Sequence, residues 1–95
     1  MKSIREQITI KQWVKKGTEA YKQRNWAEAL EWLLKAAEKG NDKAMLLLGN
    51  MYQYGWGVEE DWGKALDYYS EASDKGNGEA GYMHEQLIHI INLSI

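Results

Sequence analysis

The chain repeats itself, and that most narrows what it can fold into. Residues 26–44 align on residues 62–80 without a gap, at an offset of 36. The identical pairs are Trp26/Trp62, Ala29/Ala65, Leu30/Leu66, Ala36/Ala72, Lys39/Lys75, Gly40/Gly76, Asn41/Asn77 and Ala44/Ala80. These are mostly small residues, which let a neighbouring helix approach closely, and a glycine that stops a helix. A helical unit recurring at this period predicts helix pairs stacked in a solenoid, each burying its apolar face on the next.

Helix boundaries can be read from capping residues. Thr9 with Gln12 has capping-box spacing, and Ile8 and Trp13 take the two staple positions, which predicts a first helix from Ile10 to about Gln23. Asn25 with Glu28 repeats the N-cap pattern ahead of a second helix over 26–39, ended by Gly40. A third is expected over 43–54, stopped by the Gly55-Trp56-Gly57-Val58 turn. Asp61 caps a fourth over 62–75, ended by Gly76. A fifth starts near Glu79 and runs almost to the end. No strand alternation is visible, so the expected fold is all-α, with antiparallel neighbours joined by short turns.

Composition removes several classes of function. There is no cysteine, which excludes disulfides, thiol nucleophiles and Cys-ligated zinc. Proline and phenylalanine are absent, while 5 Trp and 6 Tyr give every aromatic a polar handle. The net charge of −2 is unevenly placed: residues 1–44 carry +4 and residues 45–95 carry −6. Such a dipolar chain can steer a charged partner, or the asymmetry is drift among solvated faces. The opening Met-Lys-Ser-Ile-Arg-Glu lacks the apolar run of a signal peptide, and no stretch approaches the ~20 residues of a membrane span. A cytoplasmic location with no membrane partner is expected.

The pattern Ala44-x3-Leu48-Gly49-x2-Tyr52-x2-Gly55-x-Gly57-Val58-x2-Asp61-x2-Lys64-Ala65-x6-Ala72-x3-Gly76 resembles a Sel1-like repeat, a relative of the tetratricopeptide repeat. The preceding segment, with Trp13, Gly17, Ala29, Leu33 and Ala36, resembles a plainer tetratricopeptide-type pair without the Gly-x-Gly-Val insertion. The last segment keeps Ala80 and is similar to a lone first helix of a third repeat. The resemblance implies one domain over 1–95, a short right-handed α-α superhelix of five helices and about two and a half repeats. Its expected parts are a helix pair at 9–40, a Sel1-like repeat at 44–79 and a capping or interface helix at 80–95. It implies a scaffold that binds a peptide, loop or helix of another protein on its concave face.

In related repeats the first helix of each pair lines that face. The implied contact residues are Lys11, Val14, Thr18, Tyr21 and Lys22 from the first helix, and Lys43, Leu46, Asn50, Gln53 and Tyr54 from the third. The fifth helix adds Glu79, Tyr82, Gln86, His89 and Ile90. Amides, tyrosines and lysines with few carboxylates suit hydrogen bonding to an extended peptide, and Tyr21, Asn50, Gln53 and Tyr54 form the expected centre of the patch. Trp56 is either an exposed binding anchor or folds back over the helix pair. Trp26 and Trp62, at equivalent repeat positions, are expected in the core. The run Leu87 to Ile95 is apolar on more than one stripe, where a terminal repeat normally shows a polar outer face. That suggests a homodimer or heterocomplex through the fifth helix, or a helix that simply wraps its own stack.

Catalytic constellations are missing. The sequence has no P-loop, dinucleotide fingerprint or zinc-protease helix. His84 and His89 lie about 140° apart around a helix and cannot share a metal. Glu59-Glu60-Asp61 lacks EF-hand spacing. No enzyme activity, cofactor or metal is expected. Lys11, Lys15, Lys16, Lys22 and Arg24 make a modest basic stretch, but no nucleic-acid reader motif accompanies it. The expected role is protein–protein recognition, with a small inhibitor of one effector or enzyme, or a structural oligomer-forming subunit, as alternatives.

Overall fold

A computed structural model describes residues 2–94. Its five helices are α1 (Ile4–Lys22), α2 (Trp26–Glu38), α3 (Asp42–Tyr54), α4 (Trp62–Asp74) and α5 (Gly78–Leu93), with no strand among the described residues. The closest pairs are α1 with α2 and α3 with α4, while α2 meets α3, α4 meets α5 and α1 reaches α3. The result is a helical-repeat solenoid. Its extents are 47 × 29 × 16 Å and its radius of gyration is 13.4 Å. A compact globule of this length has about 12 Å.

The repeat positions do what their small size suggests. Ala29, Ala65, Ala36, Ala72, Ala44 and Ala80 are all fully buried, where a larger side chain would push neighbouring helices apart. Leu33, Leu48, Met51, Tyr69 and Leu87 fill the remaining space as the largest fully buried side chains. Trp26 and Trp62, expected in the core, are only half-buried at its margin. Each is the first residue of the second helix of its pair, at the helix end rather than its middle, and the Trp62 indole instead donates to the Gln53 carbonyl at 3.1 Å.

Two glycines show how the pairs are held. A Cβ on Gly17 would lie 2.7 Å from Leu33 Cδ2, and one on Gly49 would lie 2.5 Å from Tyr69 Cε1. These are the same contact in successive repeats. The glycine-to-partner separation is longer by four residues in the second, and the added length is the Gly55-to-Val58 loop.

The first helix corrects the sequence reading. It begins at Ile4, and Ser3 Oγ caps it by accepting from the Glu6 amide at 3.1 Å. Ser3-x-x-Glu6 has the same spacing as Thr9-x-x-Gln12 and lies six residues earlier. Thr9 is inside the helix, where its hydroxyl donates back to the Arg5 carbonyl at 3.0 Å. Ile8, the expected staple residue, is exposed. Asn25 stands at the N-cap of α2, but its side chain caps nothing and donates instead to Glu28 Oε2 at 2.9 Å. Asn41, Asp61 and Asn77 cap α3, α4 and α5 by accepting from Ala44, Lys64 and Ala80.

Four helices end on a left-handed residue whose next amide donates five residues back, α3 doing so through Gly55 and the Trp56 amide to Met51. After α2 and α4 the left-handed residue is Gly40 and Gly76, with the next amide donating to Ala36 and Ala72. After α1 the Asn25 amide donates likewise to Ala20, but the left-handed residue is Arg24, at φ 61°. It is the one non-glycine residue with positive φ among those described.

Candidate partner-binding face

The expected contact residues on α1 and α3 divide into an internal polar network and an open aromatic cluster. Tyr69 Oη, on α4, lies 2.7 Å from both Asn50 Oδ1 and Gln53 Oε1. Asn50 Nδ2 donates onward to Tyr21 Oη at 3.2 Å, which ties α4, α3 and α1 together. Burial raises the Tyr69 hydroxyl well above the usual tyrosine range, reinforced by the neighbouring phenols of Tyr54 and Tyr21. Tyr21 is also raised, first by burial, with Tyr54 and Glu79 adding to it and the Asn50 hydrogen bond opposing. These phenols stay protonated and act as hydrogen-bonding struts.

Leu46 and Gln53 therefore need correction as contact residues. They are only 5% and 6% exposed. Leu46 packs in the core, and the Gln53 side chain is spent on Tyr69. Their register on α3 points to the groove, but the core cluster closes over Leu46 and Tyr69 of α4 closes over Gln53. Tyr69 itself escaped the sequence reading because its repeat counterpart is Leu33, a plain core residue. That substitution, Leu in one repeat and Tyr in the next, is the signal that could have found it.

The aromatic cluster lies at the end of α1. Trp56 stacks on Trp26 with ring centroids 5.2 Å apart and planes 13° apart, and on Tyr54 at 4.8 Å. Tyr21 meets Trp26 edge-on at 5.4 Å. Offset stacks and edge contacts of this kind are each worth about 0.5–1.5 kcal/mol beyond burial. Gly57 makes the arrangement possible: it has φ 74°, and a Cβ on it would lie 2.3 Å from Trp26 Cβ. The loop thus lies directly on the start of α2. Trp56 folds back on Trp26 and also lines an open pocket of about 410 Å³ with Tyr21, Lys22, Arg24 and Trp26. Tyr54, beside it, is half exposed.

The other expected residues stand apart from this cluster. Val14 packs on the core, and Thr18 is half-buried with its hydroxyl oxygen inaccessible and unpartnered. Lys11, Lys43, Glu79, Gln86, His89 and Ile90 are exposed. On α5, Leu87 is buried while Tyr82 and Leu93 are 62% and 73% exposed. Among the described residues there is no group of acidic, histidine or cysteine side chains arranged to hold a metal, and no helix is long and apolar enough to cross a membrane.

Helices packed in successive pairs define a helical-repeat protein. The Sel1 repeat model matches residues 16–41 and 42–77, and the chain belongs to the Sel1 repeat family. The first match covers the end of α1 and all of α2, in the helix pair that lacks the Gly-x-Gly-Val loop. Sel1 repeats are generally protein–protein interaction modules. No curated protein matches the chain.

Proposed function

We propose that this protein acts by capturing a segment of a partner protein on the concave face formed by α1, α3 and the Trp56 loop. The observation that supports this best is the half-open aromatic surface of Tyr21, Trp26, Tyr54 and Trp56. Aromatic anchors of this kind carry a large share of the energy at protein interfaces, and the Asn50–Tyr69–Gln53 network beneath holds the helices that present them. Affinity capture with mass spectrometry tests the reading. Wild type should retain a specific partner that the double variant Tyr54→Ala/Trp56→Ala releases. Equal recovery by both proteins would falsify it.

Helix α5 supports a second reading, self-association. It uses Leu87, Met83 and Ile91 against its own stack and leaves Ile88, Ile90 and Leu93 exposed. A two-fold contact through the neighbouring Ile90 and Leu93 would bury those two side chains. Light scattering at micromolar concentration should then give a dimer mass, reduced to a monomer by Ile90→Lys/Leu93→Lys. A monomeric wild type removes the self-association reading.

A further inference from the structure

We infer that the pocket between Tyr21, Trp26 and Trp56 receives a large apolar side chain that stands next to a carboxylate in the partner's sequence. The inference rests on the reading of this face as a partner-binding surface and specifies the chemistry it recognises.

The walls and the rim argue separately. The walls are the faces and edges of three aromatic rings, and the volume of about 410 Å³ accepts a single bulky side chain. The charged residues lining the pocket are Lys22 and Arg24, with no carboxylate among the lining residues. Both cations are exposed, and neither forms an ion pair among the described residues. An aromatic cage alone suits a methylated ammonium group. Two cations on the rim repel one and favour a carboxylate, to which a guanidinium can donate two parallel hydrogen bonds.

Arg24 supplies a third argument. Its backbone is left-handed, in a Schellman turn that uses glycine at Gly40 and Gly76. Glycine is the lower-energy choice at such a position. The strain coincides with the pocket rim and leaves the guanidinium free, as expected where a side chain is kept for recognition. A protein segment fits better than a nucleic acid. The chain is net negative, with −6 on residues 45–95, which repels a polyanion beyond the local contact.

Selection from a random linear-peptide library on the full chain tests this, followed by titration of the enriched peptides with the indole N–H resonances of Trp26 and Trp56 as readout. The expected peptides carry Asp or Glu beside a large apolar residue and shift both indole signals. Lys22→Gln/Arg24→Gly should weaken them about tenfold or more, the scale of a lost charged hydrogen bond. That variant should melt no lower than wild type, because glycine relieves the left-handed strain. Undiminished binding by it overturns the inference. So do enriched peptides that are basic or indifferent to charge, and tighter binding of a single-stranded oligonucleotide. If Tyr54→Ala/Trp56→Ala then still loses the peptide, the broader partner-binding reading stands and only the acidic specificity falls. If both variants bind like wild type, or no peptide is enriched, the two fall together.

Discussion

Replacing Gly49 by alanine is expected to destabilise the protein by about 2 kcal/mol, lowering the melting temperature by roughly 10 °C. The new methyl would stand 2.5 Å from Tyr69 Cε1 and 2.6 Å from Cδ1, well inside van der Waals contact. The ring cannot swing away cheaply: it is fully buried, and its hydroxyl is held by Asn50 and Gln53. The α3–α4 pair must part instead, losing contact along both helices. Alanine's better helix propensity returns about 1 kcal/mol, so the overpacking it offsets is about 3 kcal/mol. Circular dichroism melts check this, and an unchanged melting temperature would contradict the close α3–α4 approach.

Tyr69→Leu, which installs the residue of the first repeat, is expected to cost about 3 kcal/mol. The smaller side chain leaves a void beside Gly49, and the buried Gln53 amide loses its partner. The two changes should not add. Removing the ring relieves the clash with a methyl at 49, so the double variant should be more stable than the sum of the single effects by about 1 kcal/mol. The same tyrosine shapes the alkaline limb of stability. Its folded pKa is raised by burial above the ordinary 10.0, so the unfolded state releases the proton first. Stability is therefore full below pH 10 and falls as pH rises above it, with Tyr21 and Tyr68, also raised by burial, contributing in the same direction. Urea melts against pH should show a shallower alkaline decline in Tyr69→Leu. An identical slope would mean that Tyr69 is not the buried titrating group.

Much of the architecture was legible in the residues. The 36-residue offset marked the buried alanines, because alanine at a helix contact is a local requirement repeated in each unit. Caps at Asn41, Asp61 and Asn77 were readable because the cap bonds form within three residues. The Thr9 start failed because an equivalent cap signal at Ser3 lay nearby, and spacing alone does not rank them. The site was less legible. Leu46 and Gln53 have groove register on α3, yet how deeply a register position is covered depends on helices distant in sequence.

The sequence by itself determined that the chain is a stack of helix pairs, which residues pair across repeats and where most helices stop. Those properties depend on neighbours within a few turns or on a repeated pattern. Only the tertiary structure decided which polar residues are spent internally and which remain available. The Tyr69 hydroxyl reaches Asn50 and Gln53 from 19 and 16 residues away, and Trp56 finds Trp26 across thirty residues of chain. Contacts between elements so far apart depend on how closely the helices approach. That closeness follows from packing at Gly49 and Gly57, which shows only when the partner helix is in place.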